Sequence, residues 1–366
     1  MHVRSLEVKG FRNYAQVRLT PCEGVNVFVG PNAQGKTNLL EALHLCCTGR
    51  SHRTARDEEL IRWGDDAARV TAQTVQRDGT HEVTLLLARA GKKKKTVRIG
   101  ARQAERIGEL FGHVCGVLFS PEDLQIIKGG PAERRRFIDM QLSQLRPAYF
   151  YALQRAARTL NQRNALLREI AKKPSLSPSL ELWDEQLAEC GAIICENRRE
   201  AVQRLSEYAA SAHASLTGGR ETLALRYISQ ADGESPRERL LSRLFAARAE
   251  DIRRMSTSVG IHRDDILVTV NGREARTFGS QGQQRSAVLS LKLAQLELAW
   301  RERGEAPILM LDDVMSELDP ERRRQLLSRI DRVQTFVTCT DMSDLAGAGP
   351  GAVYHVENGR LLTGGE

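Results

Sequence analysis

What the chain lacks narrows the field first. Its 366 residues contain seven cysteines, an odd number, and no Cys-x-x-Cys spacing. That excludes the common zinc frameworks and a fully paired disulfide scaffold. Cys22, Cys46, Cys47, Cys115, Cys190, Cys195 and Cys339 mostly lie in apolar runs and are expected to be reduced, packed thiols. No apolar run approaches the roughly 20 residues that cross a bilayer. The opening Met1-His2-Val3-Arg4-Ser5 has no apolar signal core. The expectation is a soluble, cytoplasmic protein with no membrane partner. Internal repeats and low-complexity segments are absent as well. What is present is ordinary globular composition, 41% hydrophobic and 27% charged, long enough for more than one core. The net charge is +8 and the pI about 9.3. A basic balance suits a polyanionic partner, although a solvated surface has the same composition.

The strongest local signal is Gly30-Pro31-Asn32-Ala33-Gln34-Gly35-Lys36-Thr37. The alternating run Val25-Asn26-Val27-Phe28-Val29 precedes it and the helical pattern Asn38-Leu39-Leu40-Glu41-Ala42-Leu43 follows. Strand, glycine loop, Lys-Thr and helix form a phosphate-binding loop in its required context. Gly30 and Gly35 let the backbone approach a phosphate without a Cβ clash. Successive amides and the helix N-terminus then face the anion. Lys36 is expected to reach the β- and γ-phosphates of ATP and Thr37 to hold Mg²⁺.

A matching acidic strand lies far downstream. Leu309-Met310-Leu311 ends in Asp312-Asp313. Ligands of parallel sheets gather at the C-terminal strand ends. Asp312 is therefore expected to bind the Mg²⁺, and Asp313 to orient or deprotonate the attacking water. Upstream, Ser280-Gln281-Gly282-Gln283 opens a long helix and offers a hydroxyl, amides and a positive dipole end. One subunit has little use for two anion sites aimed at one nucleotide. A homodimer does: Ser280, Gly282 and Gln283 of one copy would close on the γ-phosphate held by the other. Asp319 is expected either to face the partner's site or to cap the helix that starts at Pro320. Arg12 and Asn13, on the corner between the first strands, are candidate nucleotide contacts beside a plain turn role.

The remaining pattern divides the chain. Residues 69 to 99 read as an antiparallel meander turning at Asp78-Gly79 and at Gly91-Lys92-Lys93-Lys94-Lys95. From Pro131 to about Arg254 the pattern is helical. Phe150, Leu153, Ala157, Leu160, Asn164 and Leu167 form one heptad seam. Leu180, Trp183, Leu187, Cys190, Ile194, Asn197 and Ala201 form a second. Pro174 and Pro178 break the helix between them. Two antiparallel helices forming a short arm are expected, with an ordinary bundle as the alternative. Asn271-Gly272 predicts a hairpin joining Ile266–Val270 to a strand over 273–277. The fold class is thus α/β: a head with a mixed sheet, from residues 1–130 and 255–366, and an inserted helical lobe over 131–254 with a short coiled-coil-like arm.

These motifs together resemble the ABC-type P-loop ATPase heads of the SMC class. More narrowly, Gly10-Phe11-Arg12-Asn13-Tyr14, Ser120-Pro121-Glu122-Asp123-Leu124, Lys128-Gly129-Gly130-Pro131-Ala132-Glu133-Arg134-Arg135-Arg136-Phe137, His262-Arg263-Asp264-Asp265 and Gly282-Gln283-Gln284-Arg285 are similar to the RecF family of bacterial recombination mediators. The match spans nearly the whole chain in the family's order, and the chain has no room for a long SMC coiled coil. The resemblance implies an ATP-binding protein of DNA repair and replication. It implies binding of single- and double-stranded DNA, dimerisation with ATP, and work with RecR and RecO to place RecA at single-strand gaps. It implies a link to the SOS response and slow ATP hydrolysis as a release step. It also makes Gln125 a metal-side Q-loop residue, with Glu122 as competitor. Two features depart from ABC heads: the second acid is Asp313 rather than Glu, and Thr340 or Asp341 stands where a switch histidine is expected. The DNA surface is expected to use Arg53, Arg56, Lys92 to Lys95 and Arg134 to Arg136, each neutralised phosphate adding roughly 0.9 to the salt slope. An ABC transporter ATPase subunit, another SMC-like chromosome ATPase and a small-molecule kinase are the competing readings. The heptad insertion between the two halves and the polar N-terminus argue against the first, and the last leaves Ser280 to Gln283 unexplained.

Overall fold

The computed structural model describes every residue except 92–93, 331–332, 346–348 and 364–366. The chain forms two compact units: residues 1–123, 215–218 and 292–366, and residues 124–214 and 219–291.

Two sheets build the first unit. One is an antiparallel meander in the order Tyr14–Leu19, His2–Phe11, Ala67–Gln76, Gly79–Ala88, Lys95–Ile99, Arg102–Gln103. Its strands alternate buried and exposed residues, as a sheet with one wet face must. The other runs Arg360–Thr363, Ala352–Glu357, Val25–Val29, Thr335–Cys339, Ile308–Asp312, Gly116–Phe119, parallel throughout except at the Arg360–Thr363 edge. Its central strands are buried along their full length, the mark of a sheet covered on both faces. Helix Lys36–Thr48 belongs to the same core. Leu39, Leu40 and Leu43 cluster with Val8, Val70 and Leu85 of the meander and with Phe28, Met310 and Phe336 of the parallel sheet. Each such side chain contributes on the order of 1.5–3 kcal/mol by leaving water. The helix ends at Gly49, whose left-handed backbone returns its amide to Leu45.

Helices dominate the second unit, with a three-stranded sheet ordered Arg273–Glu274, Asp265–Val270, Leu223–Ile228. Helices Pro147–Ile170 and Leu180–Thr217 run antiparallel. Arg146 pairs with Glu200, Arg155 with Glu189 and Arg163 with Asp184, so one number rises as the other falls. Residues Pro174–Ser179 break the run as a short 3₁₀ turn.

Three expectations need correction. The first-helix seam holds at its ends, where Phe150 and Leu167 are buried, but between them the buried positions come one earlier, at Ala152, Ala156, Thr159 and Arg163, while Ala157 is exposed. A hydrophobic pattern cannot anticipate this, because Arg163 is fully buried between Asp184 and Asp251. The strand over 273–277 stops after Glu274 and Ala275–Phe278 is helical. The division expected at 130 and 255 also differs. Residues 219–291 lie in the second unit, because Asp265–Val270 pairs with Leu223–Ile228 and its Asp265 holds Arg134.

Candidate nucleotide-binding site

Strand Val25–Val29 delivers the chain to Gly30 at the C-terminal edge of the parallel sheet, and helix Lys36–Thr48 begins immediately after the loop. The loop needs its glycines. Gly35 has φ 117°, and a Cβ there would lie 2.6 Å from Asn13 Nδ2. A Cβ at Gly30 would run into the carbonyl oxygen of Val356. Pro31, Asn32 and Ala33 form an exposed crest, with Ala33 left-handed at φ 65°. Lys36 lies across the loop and donates from Nζ to the carbonyls of Gly30 and Pro31 at 2.6 and 2.8 Å. Burial pushes its pKa down, against the pull of Asp313, Cys339 and Asp312.

The acidic strand closes on this loop. Thr37 Oγ1 donates to Asp312 Oδ1 at 2.8 Å, joining residues 275 positions apart. The same oxygen accepts from Thr338 Oγ1 at 2.9 Å. Asp312 is only 4% exposed. Burial raises its pKa, and the two hydroxyls work the other way. Asp313 follows in a left-handed conformation, φ 53°, with its amide donating to Thr338 Oγ1 at 2.8 Å. Such backbone strain in a non-glycine residue costs about 1–3 kcal/mol and concentrates at functional sites. Thr338 thus orients both acids. Sequence pattern missed it, although strand register sets Thr338 directly beside Asp312. Thr37 and Asp312 are hard oxygen donors, few in number and adjacent to a phosphate cradle. That suits Mg²⁺, which completes its shell from phosphate and water.

Asn13 reaches the loop, and Arg12 the helix that follows it. Asn13 Nδ2 donates to the Gln34 carbonyl at 2.8 Å, and Asn38 Nδ2 donates to Asn13 Oδ1 at 2.9 Å. Arg12 forms a bidentate pair with Glu41 at 2.8 and 2.7 Å. Glu41 is fully buried on the loop's own helix, and Ser51 Oγ donates to it at 2.5 Å. Burial opposes the charge of Glu41, but the bonds from Arg12 and Ser51 outweigh it and hold its pKa below the ordinary value. Glu41 and Ser51 carried no sequence signal beyond lying near the loop.

A family model described as the RecF/RecN/SMC N terminal domain matches residues 2–359. A DNA replication and repair protein RecF from Symbiobacterium thermophilum is 47% identical over 355 residues, covering 94% of this chain and 93% of the relative. The chain belongs to the RecF family. A second RecF, from Acetivibrio thermocellus, is 42% identical and covers 98% and 99% of the two chains. A solved structure of the recombination mediator protein RecF-ATP in the RecFOR pathway has a TM-score of 0.92 at 34% identity, covering 99% of this chain and 97% of that one. An Smc head domain from Pyrococcus furiosus, TM-score 0.59 at 17% identity, shares the fold.

Within this RecF-family chain the other expected residues fall as follows. Ser280 is exposed and caps helix Gln281–Arg303. Its Oγ accepts from the Gln283 amide at 3.2 Å, while Gln283 Oε1 accepts from the Ser280 amide at 2.9 Å. That is a capping box. Gly282 is exposed beside it. Gln125 is exposed in the second unit. Glu122 belongs to the first, and its charge adds to the upward pressure on Asp312. Asp319 caps helix Pro320–Ile330, accepting from the Arg322 amide at 2.9 Å. Thr340 and Asp341 are exposed just past strand Thr335–Cys339.

Among the expected DNA residues, Arg134 is corrected. It is 5% exposed and bidentate on Asp265 at 2.7 and 2.9 Å, so it is committed to the fold. Arg135 donates to the Asp264 carbonyl at 2.6 Å, and Arg136 is exposed. Arg56 is exposed and pairs with Glu59 at 3.8 Å, and Lys94 and Lys95 engage Glu58 and Asp57. Arg53 donates to Asn38 Oδ1 at 3.0 Å. Lys92 and Lys93 lie outside the described residues. Among the described residues no helix is long and apolar enough to cross a membrane.

Proposed function

We propose that this chain is an ATP-dependent DNA-binding switch of recombinational repair and replication. The observation that carries the reading is the Thr37–Asp312 bond, which brings the phosphate loop and the acidic strand to one point. Gly30 to Gly35 cradle the phosphates with backbone amides. Lys36 leaves the Gly30 and Pro31 carbonyls for the β- and γ-phosphates. Thr37 and Asp312 would hold Mg²⁺, which would supply neutralising charge to the phosphates. Asp313, fixed through its amide by Thr338, orients the attacking water. Its side chain is one methylene shorter than glutamate, which suits slow hydrolysis used as a release step.

Ser280, Gly282 and Gln283 of a second copy complete the site, so ATP joins two copies on DNA. The dimer binds single- and double-stranded DNA at gaps and, with RecR and RecO, assists RecA loading in the SOS response. The protein works in the cytoplasm, on the nucleoid when DNA-bound. The test is light scattering with ATP, Mg²⁺ and DNA. Ser280→Arg is expected to bind ATP normally as a monomer and to fail to dimerise. Asp313→Asn is expected to accumulate as an ATP-bound dimer. Unchanged dimerisation of Ser280→Arg would count against the two-copy site.

A further inference from the structure

The hairpin near the end of the described chain touches the nucleotide loop at both ends, and nothing in the nucleotide reading uses it. Strand Ala352–Glu357 pairs in parallel with Val25–Val29, the strand that feeds the loop. Parallel pairing brings the turn after Glu357 to the sheet edge that carries the loop. Tyr354 packs on Phe28, ring centroids 5.5 Å apart, and donates from its hydroxyl to the Thr20 carbonyl at 3.1 Å. The strand is therefore anchored in the core. Its Val356 carbonyl stands against Gly30.

The turn itself is Asn358-Gly359, with φ 47° and 70°, both left-handed as a tight hairpin of this type requires. Both turn amides are spent on one loop residue. The Asn358 amide donates to Gln34 Oε1 at 2.7 Å, and the Gly359 amide donates to the Gln34 carbonyl at 3.1 Å. That carbonyl also accepts from Asn13 Nδ2. Gln34 is thus held by three donors from two segments that are 345 positions apart, Asn13 and Asn358. The space is closed as well: a Cβ on Gly359 would lie 2.5 Å from the Asn13 carbonyl oxygen.

We propose that the Asn358-Gly359 turn is a positioning element of the nucleotide site, holding Gln34 and with it the loop in the phosphate-binding shape. The inference rests on the ATP-binding reading and deepens it. A loop held in shape before binding loses less conformational freedom when the phosphates arrive. Coupling is reciprocal, so a turn that favours ATP must itself be held more firmly by ATP. Glycine is required at position 359 for two reasons, the left-handed backbone and the close approach to Asn13.

The molecule contains its own control. Asn271-Gly272 is a second turn of the same kind, φ 50° and 74°, but nothing lies within 4 Å of a Cβ on Gly272. Gly359→Ala and Gly272→Ala therefore impose similar backbone strain, and only the first presses on Asn13, which holds the Gln34 carbonyl. Titration calorimetry with ATP and Mg²⁺ on the full chain is expected to show affinity reduced about tenfold, within the usual coupling range, in Gly359→Ala. Gly272→Ala is expected to bind as the parent does. Gln34→Ala, which loses only the Oε1 bond to Asn358, gives a smaller loss in the same direction and serves if Gly359→Ala does not fold. In the unmodified chain, ATP is expected to slow amide exchange at 358–359 and leave 271–272 unchanged. Parent-like ATP affinity in Gly359→Ala, or in Gln34→Ala where that stands in, overturns the inference alone, as does exchange at 358–359 indifferent to ATP. Absence of ATP binding by the parent chain overturns the nucleotide reading and this inference together.

Discussion

Buried charge is handled differently in the two units. In the second unit it is neutralised on the spot. Arg163 donates to Asp184 and Asp251, all three fully buried. Arg198 donates to Asp139 and Asp264, and Asp264 also accepts from the Tyr227 hydroxyl at 2.5 Å. In the first unit, Lys36 bonds two neutral carbonyls and Asp312 bonds two neutral hydroxyls. Burial acts against the charge of both. Among the described residues neither forms an ion pair. A self-neutralised network serves the fold, since breaking one side strands a charge. A buried charge hydrogen-bonded only to neutral groups is open to a charged ligand, and here the neighbouring loop is shaped for an anion. Glu41 shows that the difference is one of position rather than unit. It lies on the phosphate-loop helix yet is neutralised by Arg12, and so supports the site without being offered to a ligand.

The comparison breaks most visibly at Arg163. Arg163→Ala leaves the buried Asp251 without its cation, and Asp184 with Arg248 alone. It is expected to cost about 3–5 kcal/mol in urea unfolding, with ATP affinity retained below the new midpoint. Lys36→Met should behave in the opposite way. Calorimetry is expected to show ATP affinity reduced roughly a hundredfold, about 3 kcal/mol, with the urea midpoint nearly unchanged.

His52 sharpens the first-unit side. Burial lowers its pKa from 6.5 to about 4. The unfolded chain therefore binds this proton more readily than the folded one between those values. The contribution is complete above pH 6.5 and is lost as pH falls towards 4, on the order of 3 kcal/mol in full. Urea midpoints of the parent should fall over that window more steeply than those of His52→Asn; parallel curves would remove His52 from the account. The smallest effect is expected from Thr338→Val. It keeps the shape, removes one hydroxyl from Asp312 and an acceptor from the Asp313 amide, and should weaken Mg²⁺-dependent ATP binding by about 1–2 kcal/mol.

The same contrast explains what the sequence revealed. The phosphate loop was legible because its chemistry is local: glycines, Lys36 and Thr37 stand within eight consecutive positions. The Asp312-Asp313 strand end was legible because a continuous apolar run stops there. Thr338 was not, since its role exists only through strand register. The arm was legible as two helices, yet the middle of its first seam was read one position off, where the buried Arg163 is charged. The unit boundary was hidden for a related reason. Arg134 and Asp265, 131 positions apart, belong together, and Ser280 to Gln283 lie in the second unit with them. Arg134 looked like a DNA contact for as long as its partner was unseen.

The central claim is that one triphosphate is held by the phosphate loop of one copy and the Ser280 helix start of another. Light scattering of the parent chain in saturating ATP and Mg²⁺ with duplex DNA, against the same mixture without ATP, tests it most directly. The account predicts a particle containing two copies with ATP and one copy without. A single copy under both conditions would contradict it.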